Sequence, residues 1–347
     1  MVPPPPPTLR LNVDREALTA NWRALDRLSG RARAGAAVKA DCYGLGVDAC
    51  VPALRDAGAR DFFIAHWSEV AEVLKHVPPE QVSVLHGANS AEEAAYARAT
   101  GVRPVINSIH QAQVWTEAGG GPCHLMVDTG IHRLGIRPEE ASDPAIAALD
   151  IEVLMSHLSS ADEDSLANAA QLSSLLAVRD KVQVKEVSLS NSAGIGLGVD
   201  YALDLTRPGL ALYGGIPRPE LAGQVRQVAY LQAALIQVAE LLAGESVGYN
   251  REFTAPAQTR VGTVSLGYAD GFLRAWGGKG RALESQGRKL PILGKVSMDM
   301  IVVDLAAAPD LKVGDWLDVP YSLPEGSAVT GLSQYELLTI LGRRLRG

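Results

Sequence analysis

The feature that most constrains the fold is an alternation of short apolar runs and helix-length amphipathic segments between residues 36 and 213. The runs have the length of strands, and the segments between them, such as 90–101 and 165–180, carry apolar residues at helical spacing. Near-continuous apolar strands joined by helices predict a parallel sheet covered on both faces. The predicted strands are 36–40, 62–66, 82–86, 103–107, 123–128, 151–157, 185–190 and 208–213.

Eight strand–helix units predict an α/β fold with a closed (β/α)8 TIM-like barrel, here at residues 12–225. An open doubly wound sheet is the alternative, but no GxGxxG turn follows the first strand. After residue 225, valine-rich runs are separated by Gly, Pro and charged turns, with one late helix in 332–345. Residues 226–347 are therefore predicted to form a mostly antiparallel β domain, which the strand-like segment 8–14 joins.

Composition narrows the class of protein. A net charge of −7 argues against nucleic acid and anionic membranes as partners. Three cysteines without a CxxC spacing indicate a reducing compartment, with neither a disulfide scaffold nor a zinc site. No apolar run approaches the roughly 20 residues that span a bilayer, and no signal sequence is evident at the start. We expect a cytoplasmic protein without a metal.

Unusual residues gather at the carboxyl ends of the predicted strands, where a parallel barrel places its active site. Each has an ordinary explanation by itself: Lys39 as a charge at a strand end, or the SNSAG stretch as a helix cap. Together they supply a lysine, an anion cradle at a helix start and two arginines. The residues predicted at this rim are Lys39, Tyr43, Asp128, Arg133, His157, Asn191, Ser192, Arg207, Gly209 and Leu210.

This set suits pyridoxal phosphate, which needs a lysine for an imine, a phosphate site and a partner for its pyridine nitrogen. Arg207 is an informative partner, because a guanidinium group stays protonated and only donates hydrogen bonds. The pyridine nitrogen facing it should stay unprotonated, which weakens the cofactor as an electron sink. Rapid return of a proton to the substrate Cα is then favoured over transamination.

Nine sequence blocks, in order, resemble the bacterial alanine racemases, which are fold-type III pyridoxal-phosphate enzymes. The resemblance implies a barrel plus a β domain, and a head-to-tail homodimer whose active sites take residues from both subunits. It also implies interconversion of L-alanine and D-alanine, with D-alanine supplied for the cell wall. The blocks are AVKADCYGLG, VDTGIHRLG, MSHLSSAD, SNSAG, RPGLALYG, VGYNREFTA, LGYADG, GKVSMD and SQYELLT.

The resemblance implies roles for individual residues. Lys39 would carry the cofactor and act as the base on one face of the substrate, and Tyr249, from the partner subunit, would be the base on the other face. Racemisation removes a proton from one face of Cα and returns one to the other, so a single fixed base serves poorly. The cofactor phosphate would be held near Asn191 by Tyr43, Ser192, Gly209, Leu210 and Tyr335.

The remaining implied roles concern the cofactor ring and the substrate. Arg207 would face the pyridine nitrogen, and Arg133 would contact the cofactor's phenolic oxygen and the substrate carboxylate. Met298 would offer its backbone N–H to that carboxylate across the interface. His157 would lie beside the ring and link Arg207 to the second base, and Tyr268 would line the corridor to the site.

Two positions depart from the family pattern. Met126 stands where many members carry a carbamylated lysine that supports the neighbouring arginine, so we predict that no carbamate forms and that another group or an anion such as chloride holds Arg133. Ser333 stands where a larger apolar residue often narrows the corridor, which leaves room for serine or a broader substrate range. The sequence is also compatible with a non-catalytic pyridoxal-phosphate-binding barrel protein, a fold-type III decarboxylase of basic amino acids, or a plain binding protein.

Overall fold

The computed structural model of the chain describes residues 5–277 and 280–346. The chain divides into two compact units. The first, the barrel unit, runs from Arg15 to Arg226. The second, the β unit, combines the start of the chain up to Asp14 with the residues from Gln227 onward.

The barrel unit is built on parallel strands that follow one another around a curved sheet in chain order. Numbering begins with β1 (Leu9–Val13), which belongs to the β unit. Seven strands, β3 to β9 of the numbering below, form one sheet, and the short strands β2 and β10 pair with each other. The strands are β2 (Arg33–Ala34), β3 (Ala36–Ala37), β4 (Phe62–Ile64), β5 (Val82–Val84), β6 (Arg103–Ile106), β7 (Pro122–Met126), β8 (Asp150–Met155), β9 (Glu186–Ser188) and β10 (Leu205–Thr206).

Backbone hydrogen bonds around β10 close this sheet. The Arg207 N–H donates to the Ser190 carbonyl at 2.8 Å, and the Ala37 N–H donates to the Pro208 carbonyl at 2.8 Å. The last strand is thus joined to β9 on one side and to the first strands on the other, which confirms the predicted TIM-like barrel.

The predicted eighth strand at 208–213 was wrong in position. Strand β10 ends before Pro208, and Leu210–Tyr213 is a 3₁₀ turn. Pro208 has no N–H to give a sheet, and Gly214, at φ 91°, ends the turn in a left-handed conformation. The apolar residues of this stretch are buried, so their hydrophobicity reflects burial and not a strand.

Helices cover the barrel, and several begin at the side-chain caps that their sequences offer. Ser90, Ser108 and Ser165 each accept a hydrogen bond from a backbone N–H of the helix that follows. The helices of this unit are α1 (Arg15–Leu28), α2 (Val47–Ala57), α3 (Val70–Val73), α4 (Ala91–Thr100), α5 (Ile109–Glu117), α6 (Pro144–Ala147), α7 (Leu166–Arg179) and α8 (Ser192–Gly196).

The β unit is an antiparallel sheet that includes the N-terminal strand. Strand β1 pairs with the long strand β11 (Ala229–Leu241), with Leu9 opposite Ala233 and Val13 opposite Ala229. The sheet order is β1-β11-β14-β17-β16-β15-β18, and β12 pairs with β13. The other strands are β12 (Ser246–Val247), β13 (Phe253–Thr254), β14 (Thr259–Val264), β15 (Ala282–Ser285), β16 (Arg288–Leu293), β17 (Ile301–Asp304) and β18 (Trp316–Val319).

Two helices follow the last strand, where the sequence predicted one. Helix α10 (Gln334–Thr339) lies in the predicted segment and is capped by Ser333, whose hydroxyl accepts from the Glu336 N–H. Helix α9 (Leu323–Thr330) was missed, because Pro324 and Gly326 make its sequence resemble a loop. Pro324 lies in the first helical turn, where its missing N–H costs nothing, and Gly331 ends the helix at φ 76°.

Candidate active site

Lys39 lies just after β3, at the carboxyl end of the barrel, where the sequence predicted it. Its side chain is half-buried. Burial lowers the pKa of Lys39, the positive charges of Arg133 and Arg207 lower it as well, and the negative charge of Glu69 opposes them. A larger fraction of this amine is therefore neutral, and nucleophilic, than in an exposed lysine at the same pH.

The backbone after Lys39 forms a left-handed turn. Residues 40–43 all have positive φ, between 52° and 56°, although none is glycine. Such a conformation costs roughly 1–2 kcal/mol per residue for L-amino acids. Internal hydrogen bonds stabilise it, from the Cys42 N–H to the Val38 carbonyl at 3.0 Å and from the Gly44 N–H to the Ala40 carbonyl at 2.9 Å.

This turn brings the Tyr43 side chain against Gly209. A Cβ added to Gly209 would lie 2.2 Å from the Tyr43 hydroxyl oxygen, so the absence of a side chain permits the contact. The Tyr43 ring also packs on the Tyr213 ring, with centroids 4.9 Å apart. The phenol of Tyr43 is thus fixed beside the backbone that follows β10.

Ser192 links the start of α8 to the 3₁₀ turn after β10. Its hydroxyl oxygen accepts hydrogen bonds from the N–H groups of Gly209, at 2.9 Å, and Ala211, at 3.1 Å. Asn191 caps the same helix, because its side-chain oxygen accepts from the Gly194 N–H at 2.9 Å. The predicted residues Asn191, Ser192, Gly209 and Leu210 are therefore neighbours.

These contacts leave backbone donors available. Within the part of the chain that the structure describes, the N–H groups of Ala193 and Leu210 have no hydrogen-bond acceptor. Both belong to the first turn of a helical segment, where the backbone carries partial positive charge. Donors of this kind at neighbouring helix starts can bind a phosphate group.

Arg207 is buried beneath this rim, with 6% of its surface exposed. Its guanidinium group donates to the Ser156 carbonyl oxygen at 2.5 Å and to the Ser188 hydroxyl. Among the described residues, no carboxylate pairs with it. Burial lowers the pKa of Arg207 to about 10, so the group remains a cation at neutral pH.

His157 and Arg133 complete the rim of the barrel unit. Burial, followed by the charges of Arg207, Arg133 and Lys39, lowers the pKa of His157 to about 3, so its imidazole is neutral at physiological pH. Arg133 is exposed, and no described residue accepts a hydrogen bond from its guanidinium group. The charges at this rim are predominantly positive, which favours anionic ligands.

Asp128 caps the loop that carries Arg133, whereas Met126 contributes no charge to it. Burial raises the pKa of Asp128, but hydrogen bonds from the backbone N–H groups of Gly130 and His132 outweigh it, and the net pKa is lowered. Asp128 is thus a loop cap and not a partner of Arg133. Met126, the last residue of β7, is buried and offers Arg133 no charge.

The remaining predicted residues lie in the β unit, and their loops are tied to one another. The Tyr268 N–H donates to the Ser297 carbonyl at 3.1 Å and the Ala269 N–H to the Met298 carbonyl at 3.0 Å. Lys295 pairs with Glu252 at 2.8 Å, which connects the Met298 loop to the turn that begins at Tyr249. The side chains of Tyr249, Met298 and Tyr335 are exposed.

Two family models match the chain along almost its whole length. The model described as "Alanine racemase, N-terminal domain" matches residues 13–217, and "Alanine racemase, C-terminal domain" matches residues 228–347. The chain belongs to the alanine racemase family. It is accordingly an amino-acid racemase, an isomerase, as the resemblance of the nine blocks implied.

Individual alanine racemases support the assignment. The chain is 40% identical to the alanine racemase of Methylobacterium nodulans over 354 residues, covering 96% of this chain and 94% of the relative. It is 39% identical to "Alanine racemase, biosynthetic" of Agrobacterium fabrum, covering 97% and 92%. The crystal structure of the Bartonella henselae alanine racemase, "with covalently bound pyridoxal phosphate", matches with a TM-score of 0.87 and 33% identity, over 98% of each chain.

The barrel rim of this chain fits pyridoxal phosphate. The cofactor needs a nucleophilic lysine, donors for a phosphate and a partner for its ring nitrogen. Lys39, the unpaired N–H groups of Ala193 and Leu210, and the buried Arg207 answer these three needs. In the described part of the chain, no group of three or more His, Cys, Asp or Glu side chains could hold a metal ion.

The sequence pattern did not predict one residue near Lys39. Glu69 follows β4, and its carboxylate accepts hydrogen bonds from the N–H groups of Ala40, Ala65 and His66. Its position after the second strand was the available signal. Within a stretch of helical pattern, however, a glutamate is usually a solvated surface residue.

None of the described helices is long and apolar enough to cross a membrane.

Proposed function

We propose that the chain interconverts L-alanine and D-alanine with pyridoxal phosphate, using Lys39 and Tyr249 as bases on opposite faces of the substrate. The observation that carries the proposal is the environment of Lys39. Its lowered pKa, beside a buried Arg207 without a carboxylate partner, suits a lysine that holds the cofactor covalently. We propose that the cofactor phosphate is held by Tyr43, Ser192, Gly209, Leu210 and Tyr335, next to Asn191.

Arg207 restricts the reaction to proton transfer. The electron withdrawal that makes the substrate Cα–H acidic comes from pyridoxal phosphate when it is bound. Arg207 would hold the pyridine nitrogen, and because a guanidinium group only donates hydrogen bonds, that nitrogen would stay unprotonated and the withdrawal moderate. A proton removed from Cα is then returned to Cα, and transamination is suppressed.

The two bases move the proton. The neutral fraction of Lys39 takes or returns it on one face, and the phenol of Tyr249 serves the other face. Tyr249 is 64% exposed in the single chain, which suits a residue that acts in the active site of a second copy. Arg133 and the Met298 N–H hold the substrate carboxylate, while the neutral His157 links Arg207 to the tyrosine. We therefore propose a homodimer that supplies D-alanine for the cell wall.

Replacement of Lys39 tests the cofactor assignment. We expect Lys39→Ala to lose the visible absorbance of the bound cofactor and to lower kcat by about a thousandfold, since general bases contribute on this scale. Lys75→Ala is the matched control, because Lys75 lies in the exposed turn after α3 and pairs with Glu72. A Lys39→Ala protein with full racemase activity would refute the proposal.

Replacement of Tyr249 tests the two faces. Tyr249→Phe should slow the exchange of the Cα proton for solvent deuterium much more from L-alanine than from D-alanine. Tyr230→Phe, which changes another exposed tyrosine of the β unit, should leave both exchange rates unchanged. Equal loss of exchange from the two enantiomers would contradict the assignment of Tyr249 to one face.

A further inference from the structure

Glu69 bridges two loops at the mouth of the barrel. One carboxylate oxygen accepts from the N–H of Ala40, at 2.5 Å, and the other accepts from the N–H groups of Ala65, at 2.7 Å, and His66, at 2.9 Å. Ala40 directly follows Lys39, and residues 65 and 66 follow β4. The carboxylate therefore connects the peptide bond next to Lys39 to the neighbouring loop.

The Lys39–Ala40 peptide bond lies at the start of the left-handed turn. Residues 40–43 hold a conformation that L-amino acids adopt only when their surroundings enforce it. The hydrogen bonds within the turn begin at the Cys42 N–H. After the turn, the Val47 N–H donates to the Asp41 carboxylate. Glu69 supplies the hydrogen bond at the near side, on the Ala40 N–H, which the turn itself leaves without an acceptor.

An ionised carboxylate is the group that this position requires. Three backbone N–H groups converge on Glu69, and a carboxylate only accepts hydrogen bonds. A glutamine would turn its NH2 group toward at least one of these donors. The negative charge also acts on Lys39 in the direction opposite to the charges of Arg133 and Arg207.

We infer that Glu69 is a positioning residue for Lys39: its carboxylate fixes the peptide bond after the lysine and supplies negative charge beside it. The inference rests on the proposed role of Lys39 as the residue that holds the cofactor. Glu69 acts through the turn and contacts neither substrate nor reacting atoms. Without it, the left-handed turn loses its anchor, and Lys39 and Tyr43 lose their fixed separation.

The test compares Glu69→Gln with Glu72→Gln in the full chain. Glu72 lies on the same surface segment, is exposed and pairs only with Lys75 among the described residues, so it controls for the loss of one negative charge. The first measurement is the rate of Lys39 acetylation by a trace reagent across a pH series in cofactor-free protein, read by peptide mass spectrometry. It reports the pKa of Lys39 without any need for activity.

We expect the pKa of Lys39 to be lower in Glu69→Gln than in wild type, because the opposing charge of Glu69 is gone. The second measurement is the Kd for pyridoxal phosphate, which should rise by about tenfold, since a hydrogen bond to a charged group contributes on this scale. Glu72→Gln should match wild type in both. A Glu69→Gln protein with the labelling curve and Kd of Glu72→Gln would overturn the inference.

Glu69→Asp separates charge from position and serves if Glu69→Gln does not fold. Aspartate keeps the negative charge but is one methylene shorter, so it cannot reach both loops. We expect the labelling curve to return toward wild type while the Kd for pyridoxal phosphate stays raised. Wild-type values of both for Glu69→Asp would also contradict the inference. Failure of the wild-type chain to bind pyridoxal phosphate would refute the proposed function instead, and the labelling comparison would still decide the role of Glu69.

Discussion

At the scale of single residues, the contact between Gly209 and Tyr43 allows a sharp test. We expect Gly209→Ala to raise the Kd for pyridoxal phosphate by about tenfold or more, because its methyl group would take the place of the Tyr43 hydroxyl. Gly196→Ala is a suitable control, because its new Cβ would come no closer than 3.2 Å to another atom, the Arg218 Cδ, against 2.2 Å at Gly209. Isothermal titration with the cofactor measures both; equal values would show that Tyr43 tolerates the methyl group.

A second test at this scale concerns His124, which lies inside the barrel. Its ring nitrogen bonds the Ser83 hydroxyl at 3.0 Å, and burial, modified by Glu152, Asp61, Arg103 and Arg207, lowers the pKa of His124 to about 4. The folded state therefore holds the neutral form, while the unfolded chain takes up a proton near pH 6.5. Stability from this group is present above pH 6.5 and is lost as the pH falls from 6.5 toward 4.

We expect His124→Met to flatten this dependence. Urea unfolding at a series of pH values should show the wild-type free energy of unfolding falling below pH 6.5, with a contribution from His124 of about 1.4 kcal/mol per pH unit. The variant should lack that contribution and keep the part that comes from His157, whose pKa is also lowered. An unchanged slope in His124→Met would mean that His124 takes up its proton in the folded state.

At the scale of elements, the left-handed turn predicts opposite effects of glycine at two alanines. Ala40 has φ 52°, so Ala40→Gly should relieve strain and leave the free energy of unfolding equal or higher. Ala20→Gly, inside helix α1, should lower it by about 0.5–1 kcal/mol. Urea unfolding of the two variants decides the matter. If Ala40→Gly destabilised the protein as much as Ala20→Gly, the left-handed backbone at Ala40 would not be strained.

The sequence predicted the elements whose pattern is strong and local. The barrel strands from 36 to 190 are continuous apolar runs between helical segments, and seven of them form the observed parallel sheet. The eighth was displaced because Leu210, Leu212 and Tyr213 are buried in a 3₁₀ turn, and burial alone does not distinguish a turn from a strand. Helix α9 was not predicted, because its proline and glycine are typical of loops.

For the site as well, residues marked by a local pattern could be predicted, and residues held by distant contacts could not. Lys39 and Ser192 could be placed on one rim because Lys39 lies at the end of a predicted strand and Ser192 follows one, whereas Arg207 was predicted just before a strand and in the structure follows β10. Glu69 could not be found, because its partners are backbone N–H groups of a turn whose left-handed form no local pattern indicates. The bond between Arg344 and the buried Asp270, at 2.8 Å, spans 74 residues and is equally invisible in the sequence.

At the scale of the whole molecule, a shared active site predicts complementation between inactive variants. In the proposed homodimer, Lys39→Ala and Tyr249→Phe would each disable both sites of their own dimer. When the two are unfolded together and refolded as an equal mixture, half of the dimers should be mixed, and each mixed dimer has one intact site. We expect about a quarter of wild-type activity. A mixture as inactive as its components would show that Tyr249 serves the site of its own chain.

The pairing of β1 with β11 has a consequence for how the chain is made. Leu9 must pair with Ala233, so the strand waits while the whole barrel unit is synthesised. At ~5–20 residues per second, this wait lasts on the order of tens of seconds. The barrel unit, continuous in sequence from residue 15 to 226, can fold on the ribosome during that time. The β unit can assemble only afterwards, because β1 needs β11 as its hydrogen-bonding partner.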